Sequence, residues 1–218
     1  ILNPDLFLFN RDADDRARKS IHINFDVFGE GASASEADLF FPIMFHPNFL
    51  TETVLHDIGS CTLNTDRKIR VFFAGNIDEA TYNKKRTADV FKIHTRYQII
   101  QFVREHFSAD ELYEPKSLSD LKEGIAASAF SRKIVLCDTD RFKIPQDEWF
   151  QILSKADFFL SPPGVLQPYC HNTVEAMAVG TIPILQYPAI YKPPLEDNFD
   201  AITFSDLPDL ERQLRNLL

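Results

Sequence analysis

Apolar and polar positions along most of this chain follow a rhythm of short strands and amphipathic helices. Ile69 to Ala74 is a β-rich apolar run closing at Gly75-Asn76, and a helical period follows from about Val90 to Phe107, carrying Phe91, Tyr97, Ile100 and Val103. A weaker helix is predicted over Ser117 to Ala129, with Ser119 placed to cap its start ahead of Leu121 and Ile125. Lys133 to Cys137 reads as the next strand, and beyond Pro145 the positions of Trp149, Phe150 and Leu153 mark another amphipathic helix. Asp157 to Leu160 is a short apolar run that must stop at Ser161-Pro162-Pro163-Gly164, because proline removes ladder donors and glycine tolerates unusual backbone angles. From Cys170 the pattern turns helical again. Val174, Met177 and Ala178 form the expected inward stripe, with His171, Asn172 and Glu175 at the start or on the other side. Gly180 stands where a left-handed cap ends such a helix, Ile182, Ile184 and Leu185 resume a strand, and a strand at Ala201 to Phe204 leads into a helix beginning near Ser205-Asp206. This alternation predicts an α/β fold, a doubly wound parallel sheet with right-handed crossovers.

The first part of the chain lacks the rhythm. Leu6 to Phe9 and Ile21 to Phe28 read as strands, Asp12 to Lys19 as a charged helix or loop, and Ala37 to Phe45 as an apolar stretch broken by Pro42. His46-Pro47 and Asn64-Thr65-Asp66-Arg67 look like connections. The expected division is therefore a smaller segment over residues 1–66, followed by the α/β domain over 67–218.

The charge narrows the chemistry. A net charge of −9 disfavours nucleic acid as a partner, since phosphate backbones require a concentrated basic surface. Lys84-Lys85-Arg86 and the basic residues between Arg16 and Lys19 are short clusters that read as solvated faces. Three widely spaced cysteines, Cys61, Cys137 and Cys170, suit neither a disulfide framework nor a zinc ribbon, and Cys137 reads as a small core residue. No run approaches the roughly 20 apolar residues of a membrane span, so no transmembrane segment is expected. Free cysteines without a leader point to the cytoplasm.

Within Ala156 to Tyr187 lies the unit with the most chemistry. A helix start after a strand offers N–H groups and the positive end of the helix dipole, which favour a bound phosphate. Glu175 follows His171 by one turn on roughly the same face, where a carboxylate can accept hydrogen bonds from a ribose diol. The plain alternative is that Asn172 or Thr173 only caps the helix and Glu175 is solvated.

The segment Glu175-Ala176-Met177-Ala178-Val179-Gly180-Thr181-Ile182-Pro183 resembles the Glu-Ala-Met/Leu-Ala-x-Gly signature in the donor-binding, Rossmann-like C-terminal domain of GT-B glycosyltransferases. Ser161-Pro162-Pro163-Gly164, Gly-Thr-Ile-Pro-Ile and Phe73-Ala74-Gly75 are most similar to the exostosin-like branch. The resemblance is clear over about thirty residues and extends from Arg67 onward. The second glutamate of many retaining relatives is replaced by Gln167 and Pro168, so retaining chemistry is not implied. What the resemblance implies is transfer of a sugar from a nucleoside diphosphate sugar to a hydroxyl of a glycan acceptor. It implies no cofactor and no metal, His171 and Glu175 having no companion pair of ligands. At 218 residues the chain is short for a complete GT-B enzyme, so the N-terminal domain is expected to be reduced, or the sequence to be a piece of a longer protein. The Golgi lumen replaces the cytoplasm if that longer protein is anchored.

The donor-binding candidates are then Gly75 and Asn76 at the first strand end, Ser161 and Gly164 at the second turn, and His171, Asn172 and Glu175 on the helix. Arg86 and Arg96 are the arginines placed to neutralise a leaving diphosphate, ahead of Arg132 at the wrong end of its strand. A general base is expected from the other domain, with His46 and Glu52 as candidates beside His56 and Asp57. The rival classes are a dinucleotide enzyme, weakened because Gly75 stands alone where Gly-x-Gly-x-x-Gly belongs, and a non-catalytic module keeping a degenerate donor domain.

Overall fold

The structure is a computed structural model that describes residues 22–24, 38–40, 58–61, 66–165, 168–191 and 193–218, with only the backbone of 22–24, 38–40 and 85–87. The chain divides into two units, Ile1–Pro42 and Ile43–Leu218. In the first, β1 (His22–Asn24) pairs in parallel with β2 (Asp38–Phe40), His22 opposite Asp38. These strands fall inside the two apolar stretches expected there, whereas Leu6 to Phe9 and Asp12 to Lys19 lie outside the described residues.

The second unit is α/β, built on six parallel strands in the order β4-β5-β3-β6-β7-β8. In chain order these are β3 (Ile69–Gly75), β4 (Leu112–Tyr113), β5 (Phe130–Asp138), β6 (Ala156–Leu160), β7 (Ile182–Leu185) and β8 (Ile202–Thr203). Between and after these strands the α-helices are α1 (Glu79–Tyr82), α2 (Lys85–Phe91), α3 (Arg96–His106), α4 (Leu118–Ala126), α5 (Gln146–Leu153), α6 (His171–Ala178) and α7 (Leu207–Leu217). Alternate residues of β3 serve opposite faces of the sheet. Phe72 and Ala74 join Val135, Cys137 and Phe159 beneath α4, α5 and α6, while Val71 and Phe73 join Ile134, Leu136 and Ile184 beneath α3 and α7. Both faces are covered, which is why these strands read as continuous apolar runs. Cys137 is core as expected, and burial pushes its thiol far above the usual range.

The connections leave β3 in one direction and return in the other. The chain runs from β3 through α1–α3 to β4 at the sheet edge, comes back through α4 to β5 beside β3, and crosses β3 to β6 through α5. This order departs from the 3-2-1-4-5-6 arrangement of dinucleotide folds, because β4 sits outside β5. Reversals of this kind leave a crevice over the carboxyl ends of the central strands. At the opposite end of the sheet Arg67 acts as a clasp, donating to the carbonyls of Ser154, Ala156, Val179 and Gly180 and to Thr181 Oγ1 at 2.7–3.1 Å.

Three sequence expectations are corrected. The helix expected over Val90 to Phe107 is two helices, α2 stopping at a left-handed Lys92 (φ 54°) and α3 restarting from Thr95. Thr95 Oγ1 accepts the Gln98 N–H while Gln98 Oε1 accepts the Thr95 N–H, a capping box legible as Thr-x-x-Gln. Ser117, not Ser119, caps α4, accepting the Asp120 N–H at 3.1 Å, because Ser119 is already inside the first turn. On α6 the buried positions are Thr173, Glu175 and Ala176; Ala178 packs half-buried against the core as expected, while Met177 is exposed. Glu175 is tolerated inside because a buried donor meets it, as described below.

Two outcomes follow for this core. A Cβ at Gly124 on α4 would fall 1.9 Å from Cζ of the buried Phe130 ring, so Gly124→Ala should cost about 1–3 kcal/mol in urea unfolding, overriding the helix-propensity gain. Asp120 is held below the usual carboxylate range first by the Lys116 N–H (2.8 Å) and then by the Tyr113 hydroxyl (2.7 Å). Its folded pKa is depressed, so its contribution is fully present above the unfolded value of about 3.9 and is lost as pH falls through the lower folded value. Stability measured from pH 6 down to about 2 should decline less steeply in Asp120→Asn than in the wild type.

Candidate functional site

A cavity of about 440 Å³ opens where β3 and β5 end and α6 begins. Its walls come from the end of β3 (Ala74, Gly75, Asn76), from Tyr82 and Arg96, and from the start of α6 (Cys170, His171, Asn172) with Glu175. The loop after β5 and the helix it enters supply Thr139, Lys143, Ile144, Gln146 and Trp149.

Arg96 is the first residue of α3 and only 6% exposed. Its Nη1 donates to the Asn76 carbonyl at 3.1 Å, Nε to the Pro163 carbonyl at 3.2 Å, and Nη2 approaches Cys170 Sγ at 3.7 Å. The guanidinium carbon lies 4.0 Å from the centre of the Tyr82 ring. These contacts join the loops after β3 and β6 to the start of α6, yet all are to neutral groups. Among the described residues no acidic side chain forms an ion pair with Arg96. A buried charge without a counter-charge is costly, and carbonyls and a ring face offset only part of the loss of water. An anion in the cavity would complete the balance.

The surrounding elements fix the site's shape. Gly75 is needed for close approach, since a Cβ there would lie 3.1 Å from the Phe73 ring and 3.4 Å from Arg96 Nη1. Asn172 Nδ2 donates to the Ala74 carbonyl at 3.0 Å and so ties the start of α6 to the end of β3. The N-cap residue Cys170 makes no side-chain bond over the first turn of α6, which leaves that end facing the cavity with its dipole positive. Neither Asn172 nor Thr173 is the cap. Glu175 is 1% exposed and accepts from Trp149 Nε1 at 2.7 Å, so the solvated alternative for this carboxylate fails.

Gly75, Asn76, Arg96, His171, Asn172 and Glu175, chosen from the sequence, thus all line one cavity. The Asn76 side chain is occupied elsewhere, donating to Asp140 Oδ1 at 2.8 Å and accepting the Asp78 N–H at 2.7 Å, so its carbonyl is what bears on Arg96. Ser161 is buried behind the site, its carbonyl accepting from the Tyr187 hydroxyl at 2.9 Å, and burial keeps that phenol far above its usual pKa. Gly164 is bound through its N–H to the Pro168 carbonyl and stands outside the cavity wall. The side chain of Arg86, on α2, and all of His46, Glu52, His56, Asp57 and Gln167 lie outside the described residues. Arg132 is inside β5, donating to the Leu218 carbonyl away from the cavity. Sequence reading missed Tyr82, Lys143 and Trp149; the single tryptophan just after a strand-to-helix loop was the available signal.

Among the described residues no cluster of three metal-ligating side chains occurs, and no helix is long and apolar enough to cross a membrane. Comparison with protein-family models, curated proteins and solved structures finds no match to this chain.

Replacing Arg96 with methionine leaves the Asn76 and Pro163 carbonyls without their donors. The Pro163 contact is buried and the Asn76 contact part-buried, and a buried acceptor left without a donor costs about 1–3 kcal/mol. Arg96→Met should therefore lower the urea midpoint and speed proteolytic cutting between residues 161 and 170. Unchanged cutting there would show that Arg96 does not hold that loop.

Proposed function

We propose that this chain is the donor-binding part of a glycosyltransferase of the GT-B, exostosin-like kind, with the doubly wound arrangement of that class. It transfers a sugar from a nucleoside diphosphate sugar to a hydroxyl of a glycan acceptor. The observation that carries the reading is the buried Arg96 guanidinium, without an acidic partner among the described residues, on the wall of a cavity over the carboxyl ends of parallel strands. A diphosphate supplies the missing negative charge, and that charge grows as the sugar leaves, so a cation already in place favours the transition state over the ground state. The N-terminus of α6 adds its dipole and first-turn N–H groups at His171 and Asn172. Glu175 takes the ribose hydroxyls, and Gly75 lets the sugar-phosphate approach the backbone. With Arg96 and the helix end supplying positive charge, the reading needs no metal.

The sequence resemblance supports the same assignment, since its Glu-Ala-Met-Ala-x-Gly segment is α6 with the left-handed Gly180 (φ 72°) just beyond it. The cavity volume suits a nucleotide-sized ligand, small-molecule sites running from about 300 to 1,000 Å³.

Thermal stabilisation by UDP-, GDP- and CMP-sugars tests the reading. A donor present at 100 times its dissociation constant should add about 2.7 kcal/mol to stability. Glu175→Ala should weaken that donor by about 1.5–3 kcal/mol in calorimetry. The absence of any shift with every donor would sink the assignment and favour a non-catalytic module.

A further inference from the structure

Trp149 is the chain's single tryptophan, and it links the core to the candidate site. It stands on α5 with its ring centre 6.4 Å from that of Phe72 and 6.5 Å from that of Phe159, the latter in an edge-on arrangement. Its other edge carries Nε1, which donates to Glu175 Oε2 at 2.7 Å, and both side chains line the cavity. An indole N–H is a donor only, so this contact has one sense: the carboxylate oxygen accepts. A carboxylate that is 1% exposed is stabilised by hydrogen-bond donors, and a short bond to a charged acceptor is a strong one. The ring is itself fixed by packing, so the donor does not swing away. A rigid donor on one oxygen restricts rotation of the whole carboxylate and sets where its lone pairs point.

We infer that Trp149 is a positioning residue of the cavity, holding the Glu175 carboxylate in the orientation that accepts hydrogen bonds from the vicinal hydroxyls of a ribonucleoside. This rests on the nucleotide-binding reading above, and it adds a specificity to it. The site prefers ribonucleotides to their 2′-deoxy counterparts, because a carboxylate held in place cannot turn to compensate for a missing hydroxyl. Losing one hydrogen bond to a charged group corresponds to about a 10-fold to 100-fold loss of affinity.

Calorimetric titration of ADP, GDP, CDP and UDP, each beside its 2′-deoxy form, with inorganic pyrophosphate as the control, separates the possibilities. The wild type should favour the ribo form of its preferred nucleotide by about 10-fold or more. Trp149→Phe keeps most of the packing and removes the donor. It should leave pyrophosphate binding as before and weaken the deoxynucleotide less than the ribonucleotide, so that the ribo preference shrinks to a few-fold. A full preference retained in Trp149→Phe overturns the role of Trp149 and leaves the nucleotide reading standing. A wild type that binds no nucleotide overturns both. Fluorescence of the wild type gives a second measurement that does not depend on the variant folding, since Trp149 is the sole emitter of its kind. The ribonucleotide should shift its emission more than the deoxy form does, and in Glu175→Gln the two forms should act alike. Equal shifts from both forms in the wild type overturn the inference.

Discussion

The second unit depends on β3 being paired on both sides and covered on both faces. Phe72 faces one half of the core, Val71 and Phe73 the other, and β5 and β6 are its ladder partners. A strand so enclosed cannot shift register without turning its side chains into the wrong layer. Its carboxyl end is therefore a fixed point, and the candidate site is assembled around it. Ala74 accepts from Asn172, Asn76 accepts from Arg96, and Gly75 between them leaves room for the guanidinium.

Two arginines stitch loops together at opposite ends of this sheet, and their surroundings differ. Arg67 fills its donor fork with four backbone carbonyls and one hydroxyl at the ends where β6 and β7 begin, and burial works against its charge, with Asp157 opposing that effect. It acts as a structural clasp. Arg96 has a similar set of neutral partners but lies on a cavity large enough for a ligand. The hydrogen bonds alone make both structural, and the difference is that of the two only Arg96 lines the cavity.

A second charge lines the same cavity. Glu175 sits inside the helix face that packs on the sheet, where an apolar residue would normally be, and the indole of Trp149 meets it there. A polar group in such a place lowers stability relative to an apolar one, which makes its presence an argument for function rather than for folding. The departure from the apolar stripe on α6 therefore falls where the proposed chemistry lies.

Local pattern determined most of the strands and helices and several boundaries of this protein. The apolar runs at Ile69, Ala156 and Ile182, the proline stop after Leu160 and the glycine beyond α6 all follow from short-range sterics and burial, which neighbouring residues encode. The division of α2 from α3 was legible as well, in Thr95 and Gln98, although the continuous apolar period masked it. β4 was not, because two residues carry no period and pair only once β5 is in place. Tertiary structure alone decided which polar residues converge. Arg96 and Pro163 are 67 positions apart, Asn172 and Ala74 are 98 apart, and no local preference links them. It also decided that Glu175 faces inward, because the donor that makes its burial tolerable comes from a different helix.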